Sequence, residues 1–179
     1  MQQRYTTTAI VLHWLIAVLI IGAFTMGLVM TDIPGFTPTK LRYYSWHKWA
    51  GVTVLALAAL RLLWRLFNRP PEMTAAMPAW QRGAAHGLHH LLYVLMFAVP
   101  ISGYFYTLAA GVPVVYLGKF MMPVLIDKDP VLAETLKALH YWLTMSLAAL
   151  VVLHVLAALK HAIVDRDGTM RRMLPGRSH

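Results

Sequence analysis

The stretch ALHYWLTMSLAALVVLHVLAALKH, residues 138–161, decides the fold of this chain. It has no charged residue between Lys137 and Lys160, and it is long enough to cross the roughly 30 Å hydrocarbon core of a bilayer as one helix. His140 and His154 lie 14 residues apart within it. At about 100° and 1.5 Å per residue, their side chains project from nearly one face, about 21 Å apart along the axis. The stretch therefore predicts a membrane-spanning helix with one histidine near each leaflet.

The composition of the whole chain also indicates that lipid surrounds the protein. Of its 179 residues, 59% are hydrophobic and only 13% are charged, which excludes an ordinary soluble domain and a disordered chain. The chain has no cysteine, so disulfides, thiolate zinc sites, cysteine-ligated iron–sulfur clusters and c-type haem attachment are excluded as well. Any bound metal must be held by nitrogen or oxygen atoms.

Three further apolar stretches predict spans, so we expect an all-α, integral membrane four-helix bundle. The predicted spans are about 9–30, 48–67, 86–108 and 138–160, within one membrane domain over residues 1–179. A signal peptide is the alternative for the first span, but the run is long and lacks a clear cleavage site. Asp129 followed by Pro130 predicts the start of the fourth helix. The apolar stretch of about 111–129 predicts a lid on the outer membrane interface.

The distribution of basic residues predicts the orientation. If the two termini share one side, that side holds ten of the 16 lysine and arginine residues and the other side holds six. Both termini should therefore be cytoplasmic. The basic residues flank spans instead of lining one face of a soluble helix, so the net charge of +9 indicates topology and lipid headgroup contact, not nucleic-acid binding.

Histidines inside the predicted spans are the main functional signal. A polar side chain at that depth needs a partner, and for one isolated histidine a hydrogen bond to a neighbouring helix is the ordinary reason for its presence. Here the spans pair His47 with His140 at the outer level, and His13 with His154 at the inner level. Two imidazoles on opposite sides of a haem iron need this arrangement, whereas a tetrahedral metal needs three or four ligands at one level. The pattern predicts a bundle that encloses two b-type haems.

The other histidines gather at the inner edge. His86, His89 and His90 stand at the start of the third span, and His161 lies one heptad beyond His154. Imidazoles there can hydrogen-bond a quinone carbonyl and transfer protons, because their pKa lies near neutrality. Side chains that merely reach toward the headgroups are the alternative.

Arg61 and four glycines agree with haem binding, although neither feature is specific to it. Arg61 lies 14 residues after His47, at the inner level, where it can neutralise a haem propionate or reach the headgroups. Gly22, Gly27, Gly51 and Gly103 leave room for a flat group, but small residues at these positions equally favour close packing of the helices.

The order and spacing of these motifs resemble the bacterial cytochrome b561 family of small four-helix di-haem b proteins of the inner membrane. The matching segments are RYTTTAIVLHWL (4–15), WHKWAGV (46–52), RLLWRL (61–66), AHGLHHLLYVLMFAVPISG (85–103), LKALHYWL (136–143) and LHVLAALKH (153–161). The resemblance implies the same two ligand pairs that the spacing predicts. It also implies quinone contacts at His89 and His161, whereas His90 has no expected counterpart.

One activity in that family is superoxide oxidation, in which electrons pass from superoxide through the outer and inner haems to ubiquinone. The resemblance thus implies two haem b groups as cofactors and ubiquinone as electron acceptor. Basic residues on the predicted outer side fit the capture of a small anion, although headgroup contact is the alternative. These candidates are Lys40, Arg42, Lys48, Lys119 and Lys137.

Two other functions are compatible with the same pattern. The protein can instead be a non-catalytic cytochrome b relay that takes electrons from a partner dehydrogenase or a soluble cytochrome. A four-helix transporter or metal-binding bundle without haem also accounts for intramembrane histidines, but it leaves their pairing at two levels without a reason.

Overall fold

The computed structural model describes residues 4–71 and 78–176, and four long helices form most of it. They are α1 (Thr7–Asp32), α2 (Pro38–Phe67), α3 (Ala79–Ala109) and α4 (Pro130–Lys160). All four are long and apolar enough to cross a membrane. The predicted all-α four-helix architecture is confirmed. Each predicted span lies within one of these helices, and residues 72–77 of the predicted inner loop lie outside the described residues.

The residues just before three of the helices account for where those helices begin. The hydroxyl of Thr6 accepts from the Ala9 backbone N–H at the start of α1, and Thr37 does the same for Lys40 at the start of α2. The carboxylate of Asp129 accepts from the N–H groups of the second and third residues after it, both at 3.0 Å, and Pro130 opens α4 as predicted. Such caps satisfy backbone donors that have no partner inside the helix.

The helices pack as two antiparallel pairs. Helix α1 lies along α2, α3 lies along α4, and α2 and α3 make a smaller contact that joins the pairs. Ile16, Ala58 and Met96 form the buried centre, while many large apolar side chains face outward. An outward apolar surface is expected when the surrounding solvent is lipid.

The bundle has two distinct ends. The terminal end holds the first residues of α1 and the C-terminal segment, which are joined where Trp14 Nε1 donates to the Met173 carbonyl at 2.8 Å. The C-terminal segment consists of a π-helical turn (His161–Asp165) and a 3-10 helix (Met170–Met173). The opposite end, here called the β-hairpin end, holds the α1–α2 connection and the α3–α4 connection.

The α3–α4 connection contains a small hairpin that the sequence did not predict. Strands β1 (Val115–Tyr116) and β2 (Phe120–Met121) pair antiparallel across a turn in which Leu117 and Gly118 have φ of 53° and 69°. The hairpin is fixed to α2, because Trp49 Nε1 donates to the Val115 carbonyl at 2.8 Å. Two residues per strand are too few to show a two-residue periodicity, so no strand pattern is visible in the sequence.

Candidate functional site

His47 and His140 meet near the β-hairpin end, with ring centroids 6.2 Å apart. His47 comes from α2 and His140 from α4, so the contact joins the two helix pairs. The Nδ1 atom of His47 is 2.9 Å from the Ala23 carbonyl oxygen. A carbonyl can only accept, so Nδ1 carries the proton and donates it, which leaves the Nε2 lone pair free.

His140 is held in the same way by α3. Its Nδ1 lies 3.0 Å from the Val99 carbonyl oxygen and 3.2 Å from the Ser102 hydroxyl, which itself donates to the Val99 carbonyl. Nδ1 of His140 therefore carries the proton as well. Both rings thus present Nε2 as a free ligand atom, the state that metal-bound histidines adopt when a carbonyl accepts from Nδ1.

Two of the four glycines singled out from the sequence make room for these rings. A Cβ on Gly27 would lie 3.3 Å from Cε1 of His47, and one on Gly103 would lie 2.8 Å from Cε1 of His140. Each glycine lies four residues after the carbonyl that its histidine bonds, so the ring passes over it to reach that carbonyl.

The other two glycines do not contact the rings. A Cβ on Gly51 would meet only the Pro100 side chain at 4.0 Å, and one on Gly22 would have nothing within 4 Å. The structure thus separates two glycines that shape a histidine site from two that do not.

His13 and His154 meet near the terminal end, with ring centroids 6.1 Å apart. Their surroundings differ from those of the first pair. The Arg61 guanidinium lies 2.8 Å from Nδ1 of His13. Because a guanidinium can only donate, Nδ1 accepts here and the ring proton sits on Nε2. Ligation of a metal through Nε2 therefore requires Arg61 to leave Nδ1.

A third histidine adjoins this pair. The His89 ring lies 5.4 Å from the His154 ring, centroid to centroid, whereas His86 and His90 are exposed. The guanidinium of Arg65 lies 5.7 Å from the centroid of the Tyr93 ring. Of the three histidines at the start of the predicted third span, only His89 contacts a ring of either pair.

His161 lies just beyond α4, in the π-helical turn. Its Nδ1 is 2.8 Å from Asp167 Oδ2 and 3.1 Å from Asp165 Oδ2. The sequence grouped His89 with His161 as quinone contacts, but in the structure their immediate neighbours are different. Sequence reasoning missed both aspartates. A spacing of four residues on a helix was the available signal for Asp165, whereas Asp167 approaches only because the chain bends.

Two of the basic residues considered for anion capture already have partners at the β-hairpin end. Lys40 donates to the Ile33 carbonyl at 2.7 Å, and Lys137 forms an ion pair with Glu134 at 3.3 Å. Glu134 offsets the charge of Lys137 locally, so this lysine contributes little to a field that attracts anions.

The other three basic candidates differ in exposure. Arg42 and Lys119 are exposed, and Lys48 is half-buried next to His47. Exposed positive charge at the β-hairpin end therefore includes Arg42 near the start of α2, Lys119 in the turn of the β-hairpin, and also Lys128 in the α3–α4 connection.

The ring spacing of both pairs fits a metal held between two imidazoles. Imidazole nitrogens bind metal ions at about 2 Å, so two rings on opposite sides of one ion have centroids roughly 6 Å apart. Both observed separations, 6.1 and 6.2 Å, match this value. In addition, the buried Thr144 hydroxyl, one turn from His140, has no hydrogen-bond partner among the described residues. Buried polar atoms normally have partners, so this hydroxyl fits a group held between the helices.

Comparisons with known proteins agree over nearly the whole chain. The sequence model of the family described as prokaryotic cytochrome b561 matches residues 4–176. The chain is 34% identical over 172 residues to cytochrome b561 homolog 2 of Escherichia coli K12, covering 96% of this chain and 92% of that protein. It is 32% identical over 179 residues to a probable superoxide oxidase CybB of Yersinia pestis, covering 98% of each. It is also 28% identical over 174 residues to cytochrome b561 homolog 1 of Escherichia coli K12, covering 97% of this chain and 98% of that protein. The chain therefore belongs to the prokaryotic cytochrome b561 family of multi-pass membrane electron-transfer proteins, which implies b-type haem.

Proposed function

We propose that this protein is a superoxide:ubiquinone oxidoreductase that holds two b-type haems. The observation that carries the proposal is the pair of histidine contacts, because each joins α4 to the α1–α2 helix pair near a different end of the bundle. A relative of similar length is named a probable superoxide oxidase, which supports the choice of superoxide as electron donor.

The proposed iron ligands are His47 with His140 at the β-hairpin end, and His13 with His154 at the terminal end. When bound there, haem iron supplies one-electron oxidation and reduction, and bis-imidazole ligation favours electron transfer over oxygen binding. The Ala23 and Val99 carbonyls fix the first two rings with Nε2 free. Arg61 is the proposed partner of a haem carboxylate, since its guanidinium lies beside His13 within the bundle.

The proposed orientation places the terminal end in the cytoplasm and the β-hairpin end outside, in a bacterial inner membrane. The excess of basic residues on the terminal side supports this orientation. One membrane domain with spans near 9–30, 48–67, 86–108 and 138–160 follows from the same proposal. Superoxide generated outside would then be attracted by the exposed basic residues of that end, among them Arg42 and Lys119.

Ubiquinone is the proposed acceptor at the terminal end, with His89 and His161 as its contacts. His89 lies against His154, a proposed iron ligand, so a quinone beside it would be within a short electron-transfer distance of the site. In this proposal His161 stands at the membrane edge, and the carboxylates of Asp165 and Asp167, which are 28% and 17% exposed, link it to the aqueous side.

The two half-reactions can be measured separately by stopped-flow absorbance. Superoxide should reduce the purified protein, whose spectrum should show low-spin haem at about two per chain. Chemically reduced protein should in turn be oxidised by a short-chain ubiquinone. If superoxide fails to reduce the haems while ubiquinone oxidises them, the protein is instead a relay supplied by a partner dehydrogenase or cytochrome.

Charge reversal tests which end receives superoxide. Arg42→Glu and Lys119→Glu should each slow reduction by superoxide about threefold at low ionic strength and weaken its salt dependence. Arg69→Glu is the matched control, because Arg69 is exposed at the opposite end. Oxidation by ubiquinone should stay unchanged in all three variants. Equal slowing by Arg69→Glu would contradict entry at the β-hairpin end.

A further inference from the structure

The segment after α4 bends sharply and brings a second carboxylate back to His161. The helix widens into a π-helical turn over His161–Asp165, and Arg166 then adopts a left-handed conformation with φ of 51°. A left-handed backbone is unfavourable for a non-glycine residue, and single π-helical turns occur frequently at functional sites. Gly168, with φ of 77°, completes the reversal.

Both oxygens of the Asp167 carboxylate are engaged after this bend. Oδ2 lies 2.8 Å from Nδ1 of His161, and Oδ1 accepts from the Thr169 backbone N–H at 2.9 Å. Burial raises the pKa of the Asp167 carboxyl, but the hydrogen bonds from Thr169 and the neighbouring His161 outweigh burial and hold this pKa below its usual value. Asp167 is therefore ionised at neutral pH, and an ionised carboxylate can only accept, so Nδ1 of His161 donates.

A metal ion is the competing interpretation of this cluster, because one ligand atom each from His161, Asp165 and Asp167 lie within 4.8 Å of one another. The Lys160 ammonium already supplies a positive charge to Asp165, because Nζ lies 2.6 Å and 2.8 Å from the two oxygens of its carboxylate. A charged carboxylate that is already paired has little attraction left for a further cation. The arrangement is instead that of a histidine held by a carboxylate, which fixes a ring for proton transfer.

We propose that Asp167 is a positioning residue for quinone reduction, which holds His161 with its proton on Nδ1 so that Nε2 exchanges protons with the quinone oxygen. This inference rests on the proposed function. In the balanced reaction, two superoxide ions each release one electron and become O2, and ubiquinone takes up both electrons and two protons to become ubiquinol. Each proton passes from the cytoplasmic side to Nε2 of His161, and then to a carbonyl oxygen of the quinone as an O–H bond forms. The Asp167 carboxylate stabilises the imidazolium while Nε2 carries the proton.

Asp167→Asn is the informative variant because it keeps the size of the side chain. The amide oxygen can still accept from the Thr169 N–H, which turns the NH2 group toward Nδ1 of His161. Nδ1 of His161 then loses its 2.8 Å acceptor and faces an N–H donor, which favours transfer of the ring proton to Nε2 and leaves Asp165 Oδ2, at 3.1 Å, as the remaining acceptor for an Nδ1 proton. We expect oxidation of the reduced protein by ubiquinone to slow about tenfold or more, with haem content unchanged. Asp167→Glu should recover part of the rate, and Asp127→Asn, an exposed aspartate outside this cluster, is the matched control.

Two further measurements separate positioning from a structural effect. ¹⁵N NMR of the reduced, diamagnetic protein should show the Nδ1–H form of His161 in the unmodified chain and its loss in Asp167→Asn, with the signal assigned through His161→Ala. In a double-mutant cycle, Asp167→Asn should slow His161→Ala no further, because Asp167 acts only through His161. Additive rate losses, or an unchanged tautomer, would overturn the inference. If reduced, unmodified protein does not deliver electrons to ubiquinone, the proposed function fails first, whereas a normal rate in Asp167→Asn overturns this inference alone.

Discussion

His47 and His140 each bond a backbone carbonyl through Nδ1, whereas His13 accepts from the Arg61 guanidinium and His154 contacts the rings of His13 and His89. The separations are nearly equal, at 6.2 and 6.1 Å, so distance does not distinguish the two pairs. The proton positions inferred for His47, His140 and His13 do distinguish them. The pair at the β-hairpin end is preorganised for ligation through Nε2, while the pair at the terminal end has a cation beside it that must rearrange. Under the proposed function, the fixed pair is the site of electron entry, and the pair surrounded by charged and titratable groups is the site of exchange with a proton-consuming acceptor.

Replacement of a proposed iron-ligating histidine should change haem content more than any other variant that distinguishes the two pairs. His47→Ala or His140→Ala should remove one haem, at the β-hairpin end, and leave the other spectroscopically intact, because the two pairs share α4 but no ligand. His13→Ala or His154→Ala should remove the other haem. Pyridine haemochrome content and low-temperature absorbance spectra measure both outcomes. Loss of the same haem in His13→Ala and His47→Ala would contradict the pairing. Protein yield is the necessary control, because an empty cavity destabilises a small bundle.

Replacement of the glycines beside the histidine rings by alanine should give the next largest change in haem content. Gly103→Ala should displace the His140 ring, because the added Cβ would lie 2.8 Å from Cε1, and we expect loss of most haem at the β-hairpin end. Gly27→Ala, with 3.3 Å to His47, should give a smaller loss. Gly22→Ala is the matched control in α1, since nothing lies within 4 Å of its Cβ. Haem content that is the same in all three variants would show that these glycines do not shape the site.

Removal of the positive charge beside His13 should give the smallest effect, a shift in reduction potential. Arg61→Gln should lower the reduction potential of the haem at the terminal end by on the order of 50 mV, because a nearby positive charge favours the reduced form. Arg61→Lys keeps the charge and should shift the potential less. Potentiometric titration followed at the absorbance bands of each haem provides the measurement. The haem at the β-hairpin end is the internal control, and an equal shift of both potentials would argue against a local role for Arg61.

The helices were predictable because their signals are local. Uncharged runs longer than a bilayer is thick indicate α1, α3 and α4, whereas α2 is indicated by a mainly apolar stretch whose uncharged centre covers only residues 49–60. Asp129 with Pro130 fixes the start of α4. The pairing of His140 and His154 with different partners also follows from sequence, since the helical repeat converts 14 residues into a known rise and rotation. Membrane topology then limits which histidines can meet, because spans run antiparallel and each level receives few polar residues.

Three features followed only from the tertiary structure. Gly27 and Gly103 look like Gly22 and Gly51 in the sequence, and only the position of a neighbouring helix determines which of them adjoins a ring. The β-hairpin owes its place to Trp49 on α2, 66 residues before the Val115 carbonyl that it bonds. Asp167 reaches His161 because a π-helical turn and a left-handed Arg166 reverse the chain.

The sequence by itself therefore indicated a lipid environment, four long helices and which of His13, His47, His140 and His154 lie at the same level along the helices, because length, polarity and helical repeat are properties of one segment at a time. The proton on each imidazole depends on the atom that faces Nδ1: a carbonyl for His47 and His140, a guanidinium for His13 and a carboxylate for His161. That atom belongs to another helix or to the far side of a bend. Only the folded arrangement decides it.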